Sequence, residues 1–193
     1  QAMLEKGYTV YELSRRAEGA PGMNHIAADV TKEETLAAAI QEILKREDHI
    51  DVLINNAQAS ASGVTLADHT PEQFDLAIYS GLYAAFYYMK ACYPYLAESH
   101  GSVINFASGA GLFGNFGQSA YAAAKEGIRG MSRVAATEWG KDGINVNVVC
   151  PLAWTAKLEQ FRDAYPDAFK ANVKMPPMGH YGNAETEIGR VCV

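Results

Sequence analysis

Cysteine is scarce, basic charge is outweighed and long apolar runs are missing, and each shortage closes off a class of protein. The three cysteines, Cys92, Cys150 and Cys192, are an odd number without metal-ligand spacing, so they are expected as reduced thiols and no metal site is expected. Lys and Arg number 16 against 22 Asp and Glu, a formal charge of −6. That balance excludes the basic face that nucleic acid or an anionic membrane requires. No window is long and apolar enough to span a bilayer, and Gln1 to Gly7 has neither the basic nor the apolar stretch of a leader. A cytoplasmic protein acting on a small molecule is the expectation.

What is present is a rhythm. With 193 residues, 49% of them hydrophobic, the chain can bury one good core, and residues 1–193 are expected to form one domain. Short runs rich in Val, Ile and Tyr alternate with longer segments rich in Ala, Glu and Lys. That alternation predicts strands over Tyr8 to Leu13, Asn24 to Ala28, Ile50 to Ile54, Ser102 to Ala107 and Ile144 to Val149. Most are apolar at consecutive positions, as strands buried on both faces of a parallel sheet must be. Helices are predicted over Lys32 to Glu47, Pro71 to Ala97 and Ser119 to Trp139. Thr31 with Glu34 forms a capping-box pattern for the first, and Thr70-Pro71 opens the second. Gly140 is placed as the left-handed residue ending the third. Past Pro151 the pattern loosens. Residues 152–182 are expected as a loop-rich lid beside the carboxyl ends of the strands, where ligands bind in open sheets.

The residues that carry chemistry are Ser108, Tyr121 and Lys125. Tyr121 and Lys125 stand at i and i+4 and project from one helix face, so an ammonium can lie beside a phenol. Such a neighbour favours the phenolate, which makes the group usable as an acid or base nearer neutrality. Ser108 follows an apolar strand, and its hydroxyl should emerge at the sheet's carboxyl end to hydrogen-bond a substrate oxygen.

Asn55-Asn56-Ala57, Ser108, Tyr121-Ala122-Ala123-Ala124-Lys125 and Asn145-Val146-Asn147-Val148-Val149-Cys150-Pro151, in that order and spacing, resemble the short-chain dehydrogenase/reductase family, of the 3-oxoacyl-reductase-like kind. The resemblance covers nearly the whole chain. It implies an α/β fold, a doubly wound parallel sheet of the Rossmann type, lacking the first and last strands in the sequence given, together with the glycine-rich turn that binds diphosphate. Loss of a first strand from the middle of the sheet is expected to split it. The resemblance also implies an oxidoreductase that passes a hydride between a nicotinamide cofactor and a ketone or secondary alcohol. In that scheme Tyr121 is the proton donor and acceptor, Lys125 assists it and bonds the nicotinamide ribose, and Ser108 orients the carbonyl. Asp29, with Val30 beside it, matches the position touching adenine, Asn56 lines the cofactor site, and Thr155 matches a cofactor-contacting threonine one residue out of place. Asp29 can equally be a strand-end carboxylate capping its turn, and Asn56 an amide bracing the sheet. At the end of the first strand, Leu13-Ser14-Arg15-Arg16 puts serine where NAD-binding folds carry an acid, and Arg15 can accept a 2′-phosphate. NADP(H) is therefore favoured over NAD(H), with solvated loop charges as the alternative.

The sequence departs from the family in places that touch the site. Gly81 stands where the family has a catalytic asparagine that helps hold a water linking the lysine to solvent. Gln58 and Leu152 replace glycines, and both are expected to crowd the nicotinamide side. These departures support an alternative, a catalytically weak or silent member that binds nucleotide and regulates. Leu112, Phe113, Phe116, Trp154 and Phe161 are expected to wall an apolar substrate pocket. Relatives pair the helices matching Pro71 to Ala97 and Ser119 to Trp139, which implies a homodimer or homotetramer.

Overall fold

The computed structural model describes residues 1–193, the side chains of Ala168 and Asn172 excepted. In chain order it has α1 (Ala2–Glu5), β1 (Tyr11–Ser14), β2 (Asn24–Ala27), α2 (Glu33–Leu44), β3 (Val52–Asn55), α3 (Pro71–Ala77), a π-helical segment (Ile78–Tyr83) and α4 (Ala84–Ser99). There follow β4 (Ser102–Phe106), α5 (Gly109–Phe113), α6 (Ser119–Trp139), β5 (Asn145–Val149), β6 (Ala153–Trp154), α7 (Ala156–Ala164), α8 (Pro166–Asn172), β7 (Gly182–Asn183) and a second π-helical segment (Ala184–Gly189). The chain divides into a unit of Tyr11–Cys150 and a unit combining Gln1–Val10 with Pro151–Val193.

In the larger unit every strand pair is parallel. β1 pairs with β2, and β3-β4-β5 form a second ladder with β4 in the middle. Among the described residues no hydrogen bond joins the two ladders, so β1 and β3 are each paired on one edge only, and the sheet is split as expected. The apolar faces of α4 and α6 pack against the second ladder, and α2 against α4. The core so formed contains Leu36 and Ile40 of α2, Met89, Cys92 and Leu96 of α4, Val103 of β4 and Ala135 of α6. Leu96 and Val103 are both 0% exposed, and full burial of such a side chain stabilises by about 1.5–3 kcal/mol. Cys92 lies in this core, where burial pushes its thiol up to about 12; it is a packing residue.

Helix α6 spans the predicted residues, and Thr70 caps α3 through a full capping box with Gln73 and Pro71 in the first turn. Other expectations are corrected. The helix expected as one piece from Pro71 is interrupted by the π-helical segment, because two carbonyls of α3 are taken by side chains. Ser80 Oγ donates to Leu76 O at 2.6 Å and Gln58 Nε2 to Ala77 O at 3.0 Å, which opens the regular backbone ladder. Thr31 does not cap α2: its hydroxyl donates to Asp29 Oδ1 at 2.7 Å, and Lys32 is the residue before the first turn. Gly140 keeps a right-handed helical backbone and starts a short 3-10 turn, and Gly143 (φ 77°) is the left-handed glycine that turns the chain into β5.

In the smaller unit the segment after Pro151 is more ordered than expected. Thr155 Oγ1 accepts from Leu158 N at 3.2 Å and starts α7, and Pro166 sits in the first turn of α8. β6 and β7 pair in parallel, Ala153 with Gly182 and Trp154 with Asn183. Trp154 packs edge-on against Phe169 and Tyr181, and Phe161 against Phe169. Trp154 and Phe161, expected as pocket wall, thus join a half-buried aromatic cluster with Phe169 and Tyr181.

Candidate active site

The site is built where β4 ends. Phe106 is the last residue of the central strand, and its carbonyl accepts a hydrogen bond from Lys125 Nζ at 2.7 Å. Ala107 N still follows the ladder, donating to Val149 O at 2.9 Å. Ser108 then caps α5, its Oγ accepting from Ala110 N at 3.1 Å. That bond uses the oxygen as acceptor and leaves the hydroxyl proton free to donate. Ser108 is therefore fixed in direction before any ligand arrives.

Helix α6 supplies the other two groups. Lys125 Nζ lies 5.7 Å from the centroid of the Tyr121 ring, so the i, i+4 spacing does bring ammonium and phenol together. Lys125 is only 3% exposed. Burial lowers its pKa from 10.5 to about 8, with the neighbouring Cys150 pulling weakly the other way. One helix and one strand end thus hold Ser108, Tyr121 and Lys125 in a single region.

The residues expected to hold a cofactor divide into bound and free. Asp29 carries out the capping role. Its Oδ1 accepts from both Thr31 N and Thr31 Oγ1, and these bonds hold its carboxyl below the usual range. Val30 is half-buried against the core. Arg16 is paired with Glu12, whereas Arg15, exposed at the end of β1, has no hydrogen bond or ion pair among the described residues. Ser14 Oγ lies 3.2 Å from His25 Nε2. Thr155 belongs to the smaller unit, where its hydroxyl caps α7.

The amide that braces the sheet is Asn55, not Asn56. Asn55 Nδ2 donates to Asn105 Oδ1 at 2.8 Å, Asn105 Nδ2 donates to Ser132 Oγ at 2.8 Å, and Ser132 Oγ donates to Ile128 O at 2.6 Å. This chain stitches β3, β4 and α6 together beneath the site, with Asn105 at 0% and Ser132 at 2% exposure. Asn56 is exposed, and its amide has no partner among the described residues. The polar Asn105 within the apolar run Val103 to Phe106 was the signal for this network.

Gln58, expected to crowd the nicotinamide side, is turned onto the π-helical segment instead. Its Nε2 donates to Ala59 O at 2.8 Å and Ala77 O at 3.0 Å. Its Oε1 would lie 2.0 Å from a Cβ placed on Gly81. The glutamine amide therefore fills the space that a side chain at position 81 would take. Leu152 is exposed.

A nicotinamide dinucleotide is the group this arrangement suits. The groups that could hold it are the exposed Arg15 after β1, the exposed Asn56 amide after β3, both without a hydrogen-bond partner among the described residues, and the buried Lys125 ammonium beside the Tyr121 ring. Among the described residues no group of His, Cys, Asp and Glu could hold a metal ion, and no helix is long and apolar enough to cross a membrane.

A parallel α/β sheet with serine at the end of a central strand, and tyrosine and lysine one turn apart on the next long helix, defines the short-chain dehydrogenase/reductase class. The chain belongs to this family: the family described as enoyl-(acyl carrier protein) reductase matches residues 5–193. It is 64% identical over 172 residues to 12alpha-hydroxysteroid dehydrogenase of a Clostridium species, covering 87% of this chain and 66% of that protein. It is 32% identical over 190 residues to 3-oxoacyl-(acyl-carrier-protein) reductase of Mus musculus, covering 94% of this chain and 78% of that one. Among solved structures, ElxO with NADP bound superposes with a TM-score of 0.84 at 25% identity, over 94% of this chain and 78% of that chain. The fold is thus the doubly wound Rossmann-type α/β fold, and the family uses NAD(P)(H). The chain spans just under two thirds of the hydroxysteroid dehydrogenase and about three quarters of the reductase.

Proposed function

We propose that this chain carries the reaction centre of an NADP(H)-dependent dehydrogenase that interconverts a secondary alcohol and its ketone on an apolar, polycyclic substrate, a 12α-hydroxysteroid. The carrying observation is the buried Lys125 ammonium, anchored on Phe106 O two residues before Ser108 and set against the Tyr121 ring. The steroid rests on the relative at 64% identity. It also rests on Leu112, Phe113 and Phe116, which are 57%, 81% and 77% exposed after Ser108 and offer an apolar wall.

In reduction, Ser108 Oγ donates to the substrate carbonyl oxygen, and Tyr121 Oη delivers its proton to the same oxygen. In oxidation, Tyr121 Oη takes the proton from the alcohol. Lys125 holds positive charge beside the ring and so favours the phenolate between these events. NADP(H), when bound, supplies or accepts the hydride. Arg15, Asp29, Val30, Asn56, Tyr121 and Lys125 would hold it. NADP(H) is preferred over NAD(H) because Arg15 is free while Ser14 stands at the acidic position. Residues 1–193 are taken as one domain, with 152–182 as its substrate-lid segment. The protein is taken to be cytoplasmic and a homodimer or homotetramer. The exposed aromatic ladder of Tyr79, Tyr83 and Phe86, with Tyr79 and Tyr83 stacked at 4.9 Å, suits a helix face that a second copy covers.

The test is turnover by the full-length protein with NADP+ and a 12α-hydroxysteroid. Wild type should form NADPH, and Tyr121→Phe should bind nucleotide but not turn over. Gly81 and Gln58 favour a second reading, a silent nucleotide-binding regulator; tight NADPH binding with no turnover over a broad alcohol and ketone panel would establish that one instead.

A further inference from the structure

Helix α6 carries a second cation on the face that bears Tyr121 and Lys125. Arg129 stands one turn beyond Lys125, and its side chain is 13% exposed. Its Nη2 donates to the backbone carbonyl of Ser108 at 2.9 Å. Nε and Nη2 also donate to Glu126 Oε1 at 3.2 and 3.1 Å, which fixes the guanidinium in its plane. Glu126 in turn lies against α5. A Cβ on Gly111 would come within 2.4 Å of Glu126 Cγ, so this carboxylate reaches Arg129 only because residue 111 has no side chain.

The carbonyls of the two residues on either side of Ala107 are therefore both held from α6. Lys125 takes the carbonyl of Phe106 and Arg129 that of Ser108. The second grip matters for direction. Ser108 lies at the change from strand to helix, where the ladder no longer holds its backbone. Its hydroxyl aims by way of one local bond, from Ala110 N. A charge-assisted bond to its carbonyl removes the peptide rotation that would otherwise swing the hydroxyl. We propose that Arg129 is a positioning residue for Ser108, fixing through the Ser108 peptide the hydroxyl that orients the substrate oxygen. This rests on the reading of Ser108 as the group that touches substrate.

The experiment uses the full-length protein with Arg129→Met, Arg129→Lys, Ser108→Ala and the Ser108→Ala/Arg129→Met pair. Misplacing a reacting group by about an ångström costs up to about a hundredfold in rate. Arg129→Met should therefore lower kcat by about tenfold to a hundredfold, with KM for NADP(H) unchanged. Arg129→Lys should recover part of the loss, since an ammonium can still donate to the Ser108 carbonyl. In the Ser108→Ala background, Arg129→Met should cost nothing further. Hydrogen exchange at the Ala110 amide should quicken in Arg129→Met. An equal loss of kcat in both backgrounds, or no loss in wild type, overturns the assignment. A wild type without turnover, or an active Tyr121→Phe, defeats the dehydrogenase reading by itself. In that event exchange at Ala110 decides for Arg129, and an unchanged rate there overturns the positioning role.

Discussion

Gly81 should tolerate alanine only after Gln58 has been removed. In the wild-type background a Cβ at position 81 meets Gln58 Oε1 at 2.0 Å, Cδ at 2.7 Å and Nε2 at 2.9 Å, all inside van der Waals contact. The colliding atoms end a flexible side chain, so Gln58 yields rather than the helix. Yielding breaks its bonds to Ala59 O and Ala77 O, each worth about 1 kcal/mol net. Alanine in place of glycine inside a helix returns about 1 kcal/mol. Gly81→Ala should therefore destabilise by about 1 kcal/mol. In a Gln58→Ala background those bonds are already gone and the space is open. There the same substitution should stabilise by about 1 kcal/mol, reversing its sign. The coupling, about 2 kcal/mol, is read from urea unfolding of the wild type, both single variants and the double variant. Additive effects to within about 0.5 kcal/mol would show that Gln58 and Gly81 do not share one space, and the reasoning would fail.

Three further outcomes follow from the site's electrostatics and its bracing. Lys125 is depressed from 10.5 to about 8 by burial, so below pH 8 its charged form costs the fold about 3 kcal/mol. That cost falls away between pH 8 and 10.5, where the unfolded chain binds the extra proton. Lys125→Met should therefore raise the urea midpoint at pH 7, by less than the full cost because Phe106 O loses its donor, and the advantage should shrink as pH rises through that window; an advantage constant to pH 10 would refute the burial penalty. Arg15→Glu should lower the ratio of kcat/KM for NADP+ to that for NAD+ by about a hundredfold, since a carboxylate repels the 2′-phosphate and accepts ribose hydroxyls. An unchanged ratio would make Arg15 a solvated surface charge. Asn105→Ala leaves the Asn55 amide without its acceptor and removes the donor to Ser132 Oγ, whose bond to Ile128 O survives, and should cost about 2–4 kcal/mol, seen as a fall in Tm of roughly 5–15 °C; a fall of a degree or two would mean that the buried network does not brace the sheet.

What could be read along the chain was whatever depends on near neighbours. Tyr121 and Lys125 are one turn apart, so their meeting follows from helix geometry alone, and Ser108 follows from the end of an apolar strand. The strands were legible because Val103 to Phe106 supplies a nearly continuous apolar run and Asn145 to Val149 an alternation of exposed Asn and half-buried Val. The misses share a different origin. Asn55 and Asn56 are adjacent and chemically identical, and only the alternation of the pleat decides that Asn55 faces Asn105 while Asn56 faces solvent. Gln58 and Gly81 each look like damage to a family pattern when read alone. They fit one another because the fold lays a loop after β3 across a helix more than twenty residues away. Arg129 and Glu126 pass for an ordinary surface pair at i, i+3 until α5 is folded beneath them and Gly111 lets the carboxylate in. A departure from a family motif is thus a statement about a pair of positions, and its effect on the reaction cannot be judged until the residue that occupies the vacated space is known.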